Sequence, residues 1–139
     1  MNTDHIKIGD VSYPLKRVQI WVDASSDERG KYLGVNLLAN SEDPTTSGFA
    51  LNGLVFRGLE NLNVLAGFKF YLDANADDPD NELGESVIVE LGNTLELETV
   101  ELTFGEVVDD SINITMSASC HGDESQQTRV KASFTAHLQ

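Results

Sequence analysis

Cysteine is nearly missing from this sequence, basic residues are scarce, proline is rare, and no long hydrophobic run occurs. Each shortage closes off a class of protein. Cys120 is the single cysteine, so no disulfide can form within the chain and no cysteine-built zinc site can be assembled. A reducing cytoplasm is the expected compartment. No stretch approaches the ~20 apolar residues of a membrane helix, and the opening residues, with Asp4 and Asp10, do not read as a signal peptide. The chain is therefore expected to be soluble, to stay where it is made, and to have no membrane partner. Nine Lys and Arg face 23 Asp and Glu, for a net charge of −14. Nucleic acid is not an expected partner either, because phosphate backbones require a basic face. The 3 prolines, Pro14, Pro44 and Pro79, fall outside every segment that reads as a strand interior.

Helical periodicity is also lacking. No long segment places apolar residues at i, i+3, i+4 and i+7, whereas alternation of period two recurs throughout, which marks half-buried strands. Ile112, Ile114, Met116, Ala118 and Cys120 alternate with Ser111, Asn113, Thr115, Ser117 and Ser119. Val130, Ala132, Phe134, Ala136 and Leu138 alternate with Lys131, Ser133, Thr135 and His137. A polar connection with Gly122 lies between them, so 111–138 predicts a hairpin with Cys120 on its dry face. Further strands are expected at 4–8, 15–24, 31–39, 49–56, 64–72, 85–91 and 95–104, about nine in all, with a short helical turn at 57–63. The alternation changes phase near Glu98 and Thr99, as a β-bulge would cause. The 139 residues thus predict one all-β domain, an antiparallel β-sandwich or a closed, flattened barrel with little or no helix.

The negative charge is local. Residues 73–110 hold 13 acids and no Lys or Arg, while the two flanking parts are close to neutral. A solvated sheet face neutralised by neighbouring strands is one reading, and a surface built to meet a positive partner is the other. Nine bases are too few to neutralise this block together with their own local acids. Glu90, Glu96, Glu98 and Glu101, on the strands of this block, are the candidate partner-binding acids.

Within the loop that starts at Asp73, oxygen-bearing side chains stand at Asp73, Asn75 and Asp77, followed by Asp78, Asp80 and Glu82. Calcium takes six to eight hard oxygen ligands from a flexible loop. The D-x-N-x-D spacing resembles the first half of an EF-hand-type or dockerin-type calcium loop, which implies Asp73, Asn75 and Asp77 as ligands. The likeness spans about five residues. Asp78 replaces the glycine of that loop, Pro79 follows, and Gly84 stands where the bidentate glutamate belongs. Calcium is accordingly the one cofactor considered.

Catalytic constellations are thin. His5, His121 and His137 show no metal-triad spacing, and Cys120 and His121, adjacent on a strand, point to opposite faces. No nucleophile elbow, glycine-rich phosphate loop or H-E-x-x-H motif occurs. Trp21 falls on the polar side of its strand, with Arg17, Gln19 and Asp23, and Tyr71 shares a side with Lys69 and Asp73. Each ring either serves partner binding or fills a second, smaller core. The expectation is a non-enzymatic domain that presents an acidic surface to a basic protein, in the manner of immunity-type inhibitors of basic toxins. The alternatives are a calcium-assisted, carbohydrate-binding β module using Trp21 and Tyr71, and a subunit of a homo-oligomer.

Overall fold

Once strands alternate dry and wet faces, the remaining question is how ten of them hide the dry faces together. The computed structural model describes residues 4–40, 45–57, 65–73, 86–121 and 127–139. They form ten strands: β1 (His5–Ile8), β2 (Val11–Pro14), β3 (Val18–Asp27), β4 (Gly30–Ala39), β5 (Gly48–Arg57), β6 (Lys69–Asp73), β7 (Val87–Glu90), β8 (Asn93–Val108), β9 (Ser111–His121) and β10 (Gln127–Leu138). The expected hairpin is β9–β10, in unbroken register from His137 opposite Ser111 to Gln127 opposite His121. The expected bulge is present in β8, where the register to β9 shifts between Leu97 and Thr99. Several points differ from the expectation: β2 is an added short strand, β3 spans Val18–Asp27 rather than 15–24, β6 begins at Lys69 rather than at 64, and β8 extends to Val108 rather than to 104. The helical turn expected at 57–63 falls, apart from its first residue, outside the described residues.

Seven strands, β3-β4-β5-β7-β8-β9-β10, close into a barrel, and β1, β2 and β6 are additions to it. A ring with an odd number of strands cannot alternate direction all the way round, so one neighbouring pair must run parallel. That pair is β10–β3, with Ala136 opposite Val18 and Leu138 opposite Ile20.

Closure is achieved through two forks. β9 occupies one edge of β10, so β1, paired to Val130–Ser133, and β3, paired to Ala136–Leu138, must share the other. In the same way β9 holds one edge of β8, and the other is shared by β7, opposite Asn93–Glu96, and β6, opposite Thr99–Thr103. A six-stranded path β2-β1-β10-β9-β8-β6 and the path β3-β4-β5-β7 are joined at both forks.

Side chains fill the interior. Phe49 of β5 meets Phe134 of β10 at 5.1 Å between ring centroids, and Phe56 of β5 meets Phe70 of β6 edge-on at 4.2 Å. Phe56 also meets Phe104 of β8 at 5.9 Å. None of these strands neighbours β5 in the hydrogen-bonded order, so the rings pack across the interior. Burying a phenylalanine or leucine fully contributes about 1.5–3 kcal/mol. Phe49, Phe56, Phe104, Leu33, Leu51 and Leu102 are all buried to 1% exposure or less.

Among the described residues the free edges are β2 and β6; both are short, β2 ends in Pro14, and β6 carries the charges of Lys69 and Asp73 at its ends. Short strands, proline and edge charge discourage pairing with another chain. At the far side of β5, Arg57 grips Asp27 by two bonds of 2.7 Å and stacks over the Tyr32 ring at 4.9 Å.

Two outcomes follow from this packing. A Cβ at Gly48 would collide with the Ala39 carbonyl, where β5 passes β4. Gly48→Ala is expected to destabilise by about 1–3 kcal/mol or more, read from urea unfolding. The Arg57 bonds, then the Arg29 backbone N–H, hold the Asp27 carboxyl at about 2 instead of its ordinary 3.8. Its contribution is therefore present above the ordinary value and lost as pH falls through the lowered one. Asp27→Asn should reduce stability at neutral pH and flatten its fall between 3.8 and about 2, measured by thermal melts across that interval.

Candidate functional site

Register alone fixes which polar side chains stand together on the outer face of the β2-β1-β10-β9-β8-β6 sheet. One row runs Tyr71, Glu101, Ser117, Lys131, Lys7 and Ser12, each directly opposite the next. A parallel row runs Asp73, Thr99, Ser119 and Arg129. The face is thus graded: acidic with an exposed tyrosine on β6 and β8, hydroxylated on β9, and basic on β10 and β1. Opposite positions on neighbouring strands lie about 4.5–5.5 Å apart, so each row is a continuous strip.

Of the residues expected to bind a partner, the fold brings Tyr71, Glu96 and Glu101 to this face. Tyr71 is 58% exposed and opposite Glu101, whose carboxylate receives the Lys69 ammonium at 3.2 Å. Both charges of that pair face solvent, so it contributes little to stability. Glu96 projects outward at the end of the β7 pairing, opposite Val87 and His121.

The other three are placed elsewhere. Glu98 occupies the bulge at the β8 fork, with no residue of β9 opposite it, and pairs with His121 at 2.9 Å from Nε2 to Oε2. Among the described residues Glu98 Oε1 and His121 Nδ1 have no hydrogen-bond partner, and the two side chains are partly exposed at the fork. Glu90 lies at the end of β7 and accepts the Tyr13 hydroxyl at 2.8 Å, a bond that raises the Tyr13 pKa and clamps β2 to β7. Trp21 is 37% exposed on β3, opposite Asn36, in the β3-β4-β5-β7 layer. It therefore shares no site with Tyr71.

Asp73 closes β6 opposite Thr99. Asn75 and Asp77 lie outside the described residues. Among the described residues no group of three or more His, Cys, Asp or Glu is placed to hold a metal ion.

Sequence reading missed the basic end of the face. Lys7 and Lys131, separated by most of the chain, stand directly opposite each other, with Arg129 two residues along β10. Their outward parity was readable from the alternation, but the pairing of β1 with β10 was not.

Cys120 is buried on the dry face of β9, and burial first, then the Glu98 charge, pushes its thiol up to about 12. Only the thiolate attacks, so the native protein should leave a disulfide reagent unreacted at neutral pH and release one equivalent of thiol on unfolding. A colorimetric thiol titration with and without denaturant checks this. Compared with known protein families, with curated proteins and with solved structures, the chain finds no match.

Proposed function

We propose that this chain is a non-catalytic binding domain that meets a basic protein through the acidic end of its six-stranded sheet. The carrying observation is the placement of Tyr71 directly opposite Glu101, both outward, with Glu96 on the same strand and face. An exposed tyrosine offers a large, rigid contact at low entropic cost, and carboxylates around it supply orientation and attraction. On this part of the face Asp73, Glu96 and Glu101 outnumber Lys69, so the local charge is negative. An acidic inhibitor that covers a basic toxin, the immunity type, is the kind of protein that uses such a surface.

Charge of this sort acts mainly on the association rate. Rim carboxylates steer a basic partner towards the face, and the attraction is screened over about 8–10 Å at ordinary ionic strength. Tyr71 would act on the dissociation rate instead, because its contact area is made only after docking.

Partners captured at low salt and eluted with a salt gradient should be basic proteins that leave early in the gradient. Against one such partner, Glu96→Lys with Glu101→Lys should lower the association rate about tenfold or more, and Tyr71→Ala should mainly speed dissociation. Surface plasmon resonance at two ionic strengths measures both. Association that is indifferent to salt and to the double reversal would sink the reading.

A further inference from the structure

The face beside the β10 fork holds a crevice. β1 leaves β10 after Ser133 and β3 joins it only at Ala136, and beside this gap lies a depression of about 410 Å³ lined from β8, β9, β10 and the start of β1. That volume lies within the ~300–1,000 Å³ of small-molecule sites, which collect where neighbouring strands separate. From this geometry we infer that the β10 fork is a binding site for a neutral, polyhydroxylated small molecule, a saccharide ring being the simplest case. The site is a different part of the face from the acidic end and stands independently of it.

The lining is built from two neighbouring rows of the sheet. In one, the hydroxyls of Thr103, Thr115 and Ser133 line up across β8, β9 and β10, beside His5 of β1. In the other, Asn113 stands opposite Thr135, whose hydroxyl donates to Asn113 Oδ1 at 2.8 Å. The Thr135 backbone N–H, left at the gap between β1 and β3, donates to Asp4 Oδ1 at 3.1 Å. Asp4 is therefore held in place by the fork itself, and among the described residues nothing donates to its second carboxylate oxygen.

Three features select the ligand class. The Asn113 amide nitrogen and the hydroxyls of Thr103, Thr115 and Ser133 have no hydrogen-bond partner among the described residues, so donors and acceptors are interleaved in one depression. Vicinal hydroxyls, each both donor and acceptor, match such a set. Among the described residues no Lys or Arg lines the crevice, which removes the usual recognition of phosphate or carboxylate. No described tyrosine or tryptophan lines it either, and the ring of Phe134 is buried against Phe49, so a flat apolar ring finds no exposed platform.

Gly105 keeps the crevice open. A Cβ there would stand 3.1 Å from the Asn113 carbonyl oxygen and 3.3 Å from its Cβ, closing the wall at the point where the amide faces β8. No positive φ is involved, so the demand at this position is for space.

The test is an amide-resolved NMR titration of the full chain with glucose, galactose, mannose and N-acetylglucosamine, and with glucosamine as a cationic control. Saturable shifts confined to 103–105, 113–115 and 133–135, for at least one neutral sugar, are expected. Asn113→Ala should weaken that binding about tenfold, the loss of roughly one hydrogen bond in a polar site. Gly105→Val should abolish it, and Ser133→Ala serves as a second variant if valine disturbs the fold. Glu101→Lys should leave the affinity within twofold. Absence of saturable shifts with every neutral sugar, shifts unchanged in both Asn113→Ala and Ser133→Ala, or a response to glucosamine alone would each overturn the inference.

Discussion

Two long strands each serve two partners on a single edge, and the rest of the molecule is arranged around that constraint. β8, with 16 residues, carries β7 and then β6, and β10, with 12, carries β1 and then β3. A strand this long cannot be covered by one short neighbour, so its edge hydrogen bonds are divided between two. The division lets seven strands close while three more extend the outer sheet. Backbone groups at each division lose a ladder partner, and buried groups of that kind must be satisfied otherwise.

The protein resolves the two forks differently. At β10, Asp4 reaches the orphaned N–H of Thr135 and leaves a polar indentation beside it. At β8, a bulge turns Glu98 onto His121, and these two side chains meet at the fork, close to a buried Cys120. One fork is open and lined by hydroxyls; the other is occupied by the protein's own side chains. The parallel pairing of β10 with β3 belongs to the same design, since an odd ring must contain one such pair. Aromatic contacts from β5 to β6, β8 and β10 then fill the interior and leave recognition to the outer faces.

Much of the strand content was legible because strand periodicity is a local property. Ile112 to Cys120 and Val130 to Ala136 alternate so regularly that the hairpin and the burial of Cys120 could be read directly. The phase change near Glu98 announced the bulge, for a single extra residue inverts the parity that follows it. The added strand β2 escaped notice because Val-Ser-Tyr-Pro buries little and alternates weakly. The candidate acids were legible only as a group: parity placed Glu96 and Glu101 outward, yet nothing local to Glu90 foretold the Tyr13 hydroxyl that holds it.

Composition and alternation were enough for an all-β chain with its negative charge confined to one segment, since both depend on residues close together in the chain. Strand neighbours were beyond their reach. Whether Glu101 would face Ser117, and Ser117 Lys131, depends on pairings between distant segments, which closure of the barrel selects among many that satisfy the same alternation. The graded face, the separation of Trp21 from Tyr71 and the crevice at Thr135 all arise at that level. A one-residue change of register would have turned each of these side chains to the opposite face, and only the packed interior forbids it.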